Sequence, residues 1–508
     1  MKTVAGWGVF SRRSVIAASV ALGLAASMGS GAFAAAKTSV TIGMTIEPIG
    51  LDPTIAAPVA IGQVSWQNIF EGLTTVDSAG KVQPQLAESW EISSDGKTYT
   101  FKLRQGVTFH NGVAFDSSVA KFAIDRARGA DSVNPQKRYF ASIETVETPD
   151  AATLVLKLKQ PAGSLLYWLG WPASVMVEPK SAADNKTTPV GTGPFKFVSW
   201  QKGSKVDLAK NTDYWNKSVS VKLETAVFRF IADPQAQAAA LKAGDVDAFP
   251  EFGAPELVSS FEGDTKLTTV IGNTELKVVA GMNNSRKPFD DKKVRQALMM
   301  AVDRATVVEG AWSGYGTPIG SHYTPNDRGF KDLTGVYPYD AEKAKALLSE
   351  AGYPNGFSFT MKAPQMAYAQ RSSQILQAMF AEIGVTMNIE TTEFPAKWVS
   401  DVLKAGDYDM TIVAHAEPMD IDIYARDPYY FHYKNPAFNE ILAKVEATAD
   451  PAEQDKLYGE AQTILAEDVP ALFLFVMPKL GIWDAKLKGL WENEPIPSNV
   501  LSEVHWQE

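Results

Sequence analysis

The sequence of 508 residues contains no cysteine. Disulfides, thiolate metal sites, cysteine nucleophiles and a lipid-modified N-terminal cysteine are therefore excluded. Histidine is also scarce, with five in the chain, and there is no His-x-x-x-His or Cys/His cluster, so a dedicated metal site has little support. A Gly-x-Ser-x-Gly nucleophile elbow is absent as well.

The chain has fewer basic than acidic residues. Lys and Arg total 48 against 58 Asp and Glu, which gives a formal net charge of −10. Binding to nucleic acid requires basic side chains clustered along the phosphate backbone, and the sequence has no basic stripe. Nucleic acid is therefore not an expected partner. The many carboxylates permit a glycosidase-like pair, but pairs of this kind arise by chance in so acidic a chain.

Long hydrophobic runs are missing except near the N-terminus. There Arg12 and Arg13 precede an apolar stretch at 15–29, and a small-x-small sequence follows at 32–34. This order is typical of a secretory signal peptide, and the apolar stretch is short for a membrane span. We expect residues 1–34 to be removed and the mature chain to be exported to a bacterial periplasm. The paired arginines leave general secretion and the twin-arginine route both open.

The rest of the composition is that of a globular protein. Hydrophobic residues make up 45% and charged residues 21% of the chain. The length predicts more than one domain with sizeable cores. With 12 Trp and 16 Tyr, the chain has enough large aromatic side chains to line a broad binding site.

Residues 83–112 (QPQLAESWEISSDGKTYTFKLRQGVTFHNG) have the pattern of a β-hairpin. Apolar and polar residues alternate at 90–92 and again at 99–103. Between them, the Ser-Ser-Asp-Gly sequence at 93–96 has the chemistry of a tight turn. The stretch contains no residue set typical of catalysis.

A second motif lies at 189–215 and consists of a Gly-Thr-Gly-Pro-aromatic turn, two strands and an Asn-x-x-Tyr-Trp element. Gly191 and Gly193 indicate a backbone that turns tightly beside a cleft. A phosphate-binding loop is the other interpretation of such glycines. It is rejected because neither a P-loop lysine nor Rossmann spacing follows.

Periodicity predicts the remaining elements. Helices are predicted at 66–73, 115–127, 233–244, 292–310, 340–352, 371–384 and 436–466. Strands are predicted at 39–43, 143–158 (two strands), 222–230, 246–249, 385–389, 411–414 and 469–475. Gly310 is placed to end the helix at 292–310.

These motifs, in this order, resemble those of the bacterial extracellular solute-binding proteins of family 5. Members of this family feed ABC importers of dipeptides, oligopeptides and nickel. The resemblance covers essentially the whole mature chain. It implies an α/β, two-lobed periplasmic-binding-protein fold with a cleft between the lobes and an extra small domain on the first lobe. The implied boundaries are 1–34 for the signal peptide, 35–80 plus 187–270 plus 480–508 for lobe I, 81–186 for the extra domain and 271–479 for lobe II.

The loop at 415–424 (HAEPMDIDIY) follows a predicted strand. In peptide-binding relatives an aspartate of this loop holds the α-ammonium group of the peptide. By resemblance, Asp420 or Asp422 would make that charge-assisted hydrogen bond, with Asp420 the first choice. His415 stands where an aromatic such as Trp is usual, and the Asp-Pro pair at 427–428 comes later than in the family pattern.

Other residues near this loop are further candidates for ligand contact. The resemblance implies Arg426 as a partner for a carboxylate, and Trp398, His415 and Tyr424 as walls of the site. Glu417 belongs to the same loop and is included among the candidates. Five residues at 429–433 contain four aromatics, which could stack on a ligand or pack the lobe.

The implied function is that of the extracytoplasmic solute-binding component of an ABC importer. It would capture a short peptide or another amino-acid-derived solute by closure of the lobes and deliver it to the membrane permease. We expect a monomer with no cofactor and no enzymatic activity. An opine, an oligosaccharide or chelated nickel bound through His415 remain open as ligands. A secreted hydrolase is the alternative from another class, and it predicts turnover.

Overall fold

The computed structural model describes residues 37–448 and 450–507. The predicted signal peptide at 1–34 lies outside the described residues. Within the described part of the chain, no helix is long and apolar enough to cross a membrane.

The β-strands of the described residues belong to five sheets. In chain order the strands are β1 (Ser39–Met44), β2 (Thr74–Val76), β3 (Val82–Pro84), β4 (Ala87–Ile92), β5 (Thr98–Leu103), β6 (Ile143–Asp150), β7 (Thr153–Leu158), β8 (Phe195–Gln201), β9 (Lys205–Lys210), β10 (Thr225–Phe230), β11 (Ala248–Phe249), β12 (Leu267–Gly272), β13 (Lys277–Met282), β14 (Thr317–Pro318), β15 (Ser358–Pro364), β16 (Thr386–Thr392), β17 (Met410–His415), β18 (Ala471–Val476), β19 (Lys479–Asp484), β20 (Leu487–Lys488) and β21 (His505–Trp506).

Several of the helices begin at an aspartate whose side chain caps the first turn. In chain order the α-helices are α1 (Val59–Ser65), α2 (Ser117–Arg128), α3 (Leu165–Trp168), α4 (Pro234–Ala243), α5 (Lys292–Met300), α6 (Arg304–Trp312), α7 (Ala341–Glu350), α8 (Ala367–Glu382), α9 (Ala396–Trp398), α10 (Pro436–Ala447) and α11 (Pro451–Asp468).

The first lobe is built on a seven-stranded sheet with the order β12-β19-β11-β1-β10-β9-β8. Strand β1 runs parallel to β10 and β11, while the other pairs are antiparallel. Because β19 comes from the end of the chain and β1 from its start, this lobe is assembled from segments distant in sequence.

The extra small domain contains a four-stranded antiparallel sheet with the order β4-β5-β7-β6. Strands β4 and β5 form the predicted hairpin, with Gly96 in the turn at φ 68°. The alternation predicted for β5 is confirmed, because Tyr99, Phe101 and Leu103 are all buried. On β4, by contrast, Trp90 is half-buried and Ile92 is exposed.

The second lobe is built on a six-stranded sheet with the order β14-β18-β13-β17-β15-β16. Every residue of β13 and β18 is buried, as expected for central strands covered on both faces. The chain passes between the two large sheets twice, after β12 and after β18. At this crossing the Thr274 hydroxyl donates to the carbonyl of Met477 at 2.5 Å, so the two connections are tied to each other.

The helix predicted at 66–73 is wrong. The helix ends at Ser65, and Gln67 has a positive φ of 61°, which a helix cannot continue through. The carbonyls of Asn68 and Ile69 instead accept hydrogen bonds from Phe195 and Gly193. Long-range pairing of the backbone therefore overrides the local helical pattern.

The same contact explains the second motif. A Cβ on Gly191 would lie 1.9 Å from the carbonyl oxygen of Ile69, and one on Gly193 would lie 2.4 Å from that of Asn68. The tight approach predicted for these glycines is confirmed, but it is made against the segment at 67–70. Neither glycine lines the cleft described below.

Glu71 connects the second motif to this segment through a buried carboxylate. The carboxylate accepts hydrogen bonds from Thr192 at 2.7 Å, Tyr214 at 2.8 Å and Trp215 at 2.7 Å. Burial raises the pKa of Glu71 to about 7, although these donors act to lower it. The Asn-x-x-Tyr-Trp element therefore has a structural role in the core of the first lobe.

The single helix predicted at 292–310 is also wrong, because it is divided into α5 and α6. Asp303 caps α6 by accepting hydrogen bonds from the backbone of Ala305 and Thr306, which competes with continuation of α5. Helix α6 then extends past Gly310 to Trp312 and ends at Ser313, which has a φ of 54°. Gly310 is needed for packing, since a Cβ there would lie 2.6 Å from the Ile375 side chain.

Candidate functional site

A large cavity of about 1320 Å³ lies between the extra small domain and the second lobe. Its volume exceeds the roughly 300–1,000 Å³ typical of small-molecule sites. Segments of both regions form its walls, so the movement of one relative to the other changes the cavity. The lining includes residues 78–82, 138–139 and 159–168 on one side and residues 326–328, 418–419, 421–422, 445–446 and 458 on the other.

Three aromatic side chains form a continuous wall of the cavity on the side of the small domain. The rings of Tyr139 and Trp168 stack with centroids 3.6 Å apart and planes inclined by 11°. Tyr167 meets Trp168 edge to face at 5.3 Å. We call this set, Tyr139, Trp168 and Tyr167, the aromatic wall.

Arg138, Asp422 and Arg426 form a group that we call the cavity cluster, because all three line the cavity. Asp422 accepts two hydrogen bonds from Arg426, at 3.0 and 3.1 Å. On its other side, Asp422 Oδ2 lies 3.1 Å from Nη1 of Arg138, a residue of the small domain. Two guanidinium groups thus share one carboxylate, and the cluster carries a net charge of +1 when all three groups are ionised.

The cavity cluster is incompletely satisfied. The buried Nε of Arg138 and the buried hydroxyl of Ser142, which also lines the cavity, have no hydrogen-bond partner among residues 37–448 and 450–507. The surrounding walls desolvate Asp422 and raise its pKa to about 7, while Arg138 acts to lower it. Such groups are suited to accept a polar ligand.

Lys277, His322, His415 and Asp420 form a second group, which we call the buried cluster. The ammonium group of Lys277 lies 3.1 Å from Asp420 Oδ1, and His322 Nε2 lies 3.0 Å from the same oxygen. The Lys277 and Asp420 side chains are 0% and 1% exposed. His415 Nδ1 lies 3.7 Å from Asp420 Oδ2.

The protonation states of the buried cluster follow from this geometry. Burial alone would raise the pKa of Asp420, but Lys277 and His322 hold it well below its usual range. Burial lowers the pKa of His415 to about 3, and it also lowers the pKa of His322. The cluster is therefore a Lys–Asp ion pair flanked by two neutral imidazoles.

The ligand atoms of His322, His415 and Asp420 lie within 4.8 Å of one another, which is close enough for a metal ion. The chemistry of the cluster favours an internal ion pair instead, because the Lys277 ammonium already occupies one side of the carboxylate. Two ring nitrogens are also engaged, by the hydroxyls of Tyr424 at 3.2 Å and Tyr430 at 2.8 Å.

The structure separates the candidates from the sequence into two groups. Asp422 and Arg426 line the cavity, together on one side of the loop. Asp420, His415, Tyr424 and Trp398 are buried and are not part of the cavity wall, and Glu417 is half-buried beside them. The ligand contacts assigned to all of these residues stay predictions.

Several charged residues of the cavity wall were not identified by the sequence analysis, among them Arg138, Glu275 and Asp327. Glu275 had a detectable signal, because it lies two residues before an otherwise apolar strand that begins with a second charged residue, Lys277. Arg138 and Asp327 lie in irregular segments whose sequences contain no comparable pattern.

Comparison with known proteins identifies the family. The model of the bacterial extracellular solute-binding proteins, family 5 Middle, matches residues 81–436. Glutathione-binding protein GsiB of Escherichia coli K12 is 32% identical over 501 residues, which cover 93% of this chain and 95% of that protein. The chain belongs to the bacterial extracellular solute-binding proteins of family 5.

Solved structures of this family confirm the fold. The binding protein AgaA of Agrobacterium tumefaciens R10, in complex with agropinic acid, has a TM-score of 0.83 and 28% identity, covering 92% of this chain and 99% of that one. The ABC transporter-associated periplasmic protein DppA of Helicobacter pylori, in complex with the peptide STSA, has a TM-score of 0.83 and 25% identity over 93% and 99% of the two chains. The predicted two-lobed fold, and the role as a solute-binding component of an ABC importer, are confirmed.

Proposed function

We propose that the solute is a short peptide or another amino-acid-derived compound that carries both a carboxylate and a cationic group. The observation that carries this proposal is the cavity of about 1320 Å³, whose walls present the net positive cavity cluster, an aromatic wall and buried carboxyls. The family resemblance and the ligands of the similar proteins GsiB and DppA, glutathione and the peptide STSA, support the same class.

The cavity cluster suits a carboxylate. Arg138 and Arg426 together offer more donors than Asp422 can accept, and a planar guanidinium matches a carboxylate in bidentate geometry. A solute carboxylate would bring the net charge of the cluster from +1 to zero. A neutral oligosaccharide would leave that charge desolvated and unpaired, which costs free energy.

Closure of the lobes would enclose the solute. Arg138 belongs to the small domain and Asp422 to the second lobe, so their contact already bridges the two sides of the cavity. Closure desolvates the charges of the solute, and protein groups of opposite sign must compensate for the lost water. We propose lobe boundaries at the limits given by the sequence analysis, with hinge motion at the two connections near Thr274 and Met477.

The protein then hands the solute to the membrane permease chemically unchanged. We propose that it has no enzymatic activity, and that residues 1–34 direct its export before their removal. The Lys–Asp pairing of Asp420 supports a structural role for the buried cluster. Contact between Asp420 and an ammonium group of the solute therefore requires a rearrangement of Lys277.

Native mass spectrometry of the purified protein, before and after denaturation, tests the solute class. A co-purified mass that fits a short peptide or an amino-acid conjugate supports the proposal. Recovery of a sugar or a metal chelate would contradict it. Mass spectrometry of the same solute after prolonged incubation tests for turnover, and a cleaved product would overturn the binding-only role.

Calorimetry with glutathione and Ser-Thr-Ser-Ala tests the role of the cavity cluster. Arg138→Gln should lower the affinity about 10- to 100-fold, because a charge-assisted hydrogen bond is lost. Lys434→Gln is the matched control, since this exposed lysine pairs with Asp427 and does not line the cavity. Equal affinities in wild type and Arg138→Gln would contradict the assignment.

A further inference from the structure

Glu275 and Asp327 form a pair of buried carboxyls at the cavity wall. Both side chains line the cavity and each residue is 7% exposed. They are bound to the same residue: the Thr324 hydroxyl donates to Glu275 Oε2 at 2.7 Å, and the Thr324 backbone N–H donates to Asp327 Oδ2 at 2.9 Å. Thr324 therefore holds both carboxyls at the same part of the cavity wall.

The two carboxyls differ in how they are satisfied. Both oxygens of Asp327 accept backbone hydrogen bonds, from Thr324 and from Met419 at 3.0 Å. Glu275 Oε1 has no hydrogen-bond partner within residues 37–448 and 450–507. Thus a carboxyl that is more than nine-tenths buried has a free acceptor at the wall of a solute-binding cavity. That acceptor is available to a hydrogen-bond donor of the solute.

The groups that face the pair leave it short of positive charge. From β13, the ammonium group of Lys277 approaches, but it is already paired with Asp420 at 3.1 Å. The loop after β17 contributes the negative charge of Asp420, and His322 beside it is neutral. The hydroxyl-bearing rings of Tyr167, Tyr323 and Tyr458 also face the pair.

The electrostatics agree with this geometry. Burial, followed by the charge of Asp327, raises the pKa of Glu275 to about 8. Burial also raises the pKa of Asp327. Burial and the neighbouring negative charge therefore favour the protonated form of Glu275 in the free protein, against the opposing effect of Lys277.

The pair and the cavity cluster lie at opposite ends of the aromatic wall. Tyr167, at one end of the aromatic wall, is next to Glu275 and Asp327, whose charges raise its pKa further after burial. Tyr139, at the other end, lies under the guanidinium of Arg138 at 4.3 Å. The aromatic wall thus connects an acidic pole with the basic cavity cluster, as a zwitterionic solute would require.

We propose that Glu275 and Asp327 form the subsite for the cationic group of the solute, and that this group displaces a proton held by Glu275 in the free protein. The inference rests on the proposed solute class and adds the location and proton linkage of the cationic end. Binding at neutral pH releases about one proton. The affinity for a cation that does not itself titrate rises with pH and levels off near the pKa of Glu275, about 8.

The first test needs no ligand. Carbon-13 NMR of glutamate carboxyls, with the Glu275 signal assigned through Glu275→Gln, should show Glu275 still protonated at neutral pH in the free protein. In Asp327→Asn its titration should move to lower pH, because the neighbouring negative charge is removed. Titration of Glu275 in the range of an ordinary exposed carboxyl in wild type would overturn the proton assigned to Glu275.

The second test uses Ser-Thr-Ser-Ala and its N-acetylated form as probes in calorimetry. Acetylation should weaken binding to the wild type about 10- to 100-fold, and Glu275→Gln should abolish that discrimination. Glu446→Gln is the matched control, because Glu446 is an exposed acid on the same cavity wall. Calorimetry in two buffers with different ionisation heats counts the released proton.

The outcomes separate this inference from the proposed function. If both peptide forms bind equally well, or if Glu275→Gln and Glu446→Gln behave alike, the cationic subsite is overturned while peptide binding stands. If neither form binds and a different class of solute co-purifies, the proposed solute class fails and the cationic subsite fails with it. The NMR titration then still decides whether Glu275 holds a proton in the free protein.

Discussion

Asp420 and Asp422 are two residues apart in one loop, yet they belong to different regions of the protein. Asp420 is buried at 1% exposure against Lys277 and His322. Asp422, at 37% exposure, lies between Arg138 and Arg426 at the cavity wall. The groups of the buried cluster are paired with one another, whereas the cavity cluster has hydrogen-bond donors that remain available to a ligand.

The local backbone explains the separation. Asp420–Tyr424 is a 3-10 helix. With three residues per turn, side chains two positions apart are rotated by about 240° around the axis and therefore diverge by about 120°. Similar residues in one short segment therefore face a core on one side and a cavity on the other. Chemical type alone does not assign function in such a loop.

The largest expected effect is a difference in the free energy of unfolding between variants of the two aspartates. Asp420→Asn should destabilise the fold by about 3–5 kcal/mol, because it leaves the Lys277 ammonium buried without a counter-charge. Asp422→Asn should change stability by about 1 kcal/mol or less, as for other partly exposed ion pairs. Urea denaturation measures both variants, and equal losses would remove the distinction between the clusters.

Removing both charges of the buried pair sharpens this comparison. The double variant Lys277→Met/Asp420→Leu should be more stable than Asp420→Asn alone, because no uncompensated charge remains. The same denaturation experiment provides the comparison. A double variant as unstable as the single one would show that packing, and not charge, determines the effect.

The next effect concerns the pH dependence of the free energy of unfolding and is expected from His415 of the buried cluster. The pKa of His415 is lowered to about 3 in the folded protein from an ordinary 6.5, so unfolding takes up a proton as the pH falls below 6.5. The stability contributed by neutral His415 is thus present above pH 6.5 and is lost progressively on acidification, by about 3 kcal/mol at roughly pH 4. His415→Gln should flatten this part of the stability–pH curve, and an unchanged slope would contradict the buried, neutral imidazole.

A smaller effect is expected at the cavity cluster, where a substitution should change the free energy of solute binding and not the free energy of unfolding. Arg426→Gln should lower the affinity for Ser-Thr-Ser-Ala about tenfold, because one of the two carboxylate donors is lost. Its stability should stay within about 1 kcal/mol of wild type. Calorimetry and urea denaturation test the two statements, and a large loss of stability with unchanged affinity would reverse the roles of the clusters.

The smallest effect is expected at Asp427, the third aspartate of the segment. Its carboxylate is exposed and pairs with Lys434 at 3.3 Å, away from both clusters. Asp427→Asn should change stability by less than about 1 kcal/mol and leave solute affinity unchanged. Calorimetry compares the solute affinity of Asp427→Asn with that of Arg426→Gln. A marked loss of affinity in Asp427→Asn would show that Asp427 belongs to the solute-binding site.

The sequence predicts elements whose pattern is local. The hairpin of β4 and β5 and the helices capped by Asp116, Asp233 and Asp340 have short-range signals, and the structure confirms them. The segment at 66–73 fails because its backbone pairs with Gly193 and Phe195, far along the chain. Long-range pairing of this kind leaves no periodic trace.

The site is predictable only in part for the same reason. The loop at 415–424 is recognisable from its place after a strand, and it does supply Asp422 to the cavity wall. The partners Arg138, Glu275 and Asp327 come from three other segments, which only the tertiary fold brings together. The short helix at 420–424 could place either Asp420 or Asp422 at the cavity, and the choice depends on how the helix is rotated about its axis.

A crystal structure of the protein with its co-purified solute tests the division between the clusters most directly. We predict that the solute contacts Arg138 or Arg426 at its carboxylate end and Glu275 at its cationic end, while Lys277 remains paired with Asp420. A solute whose cationic group binds Asp420, with Lys277 displaced, would contradict this account.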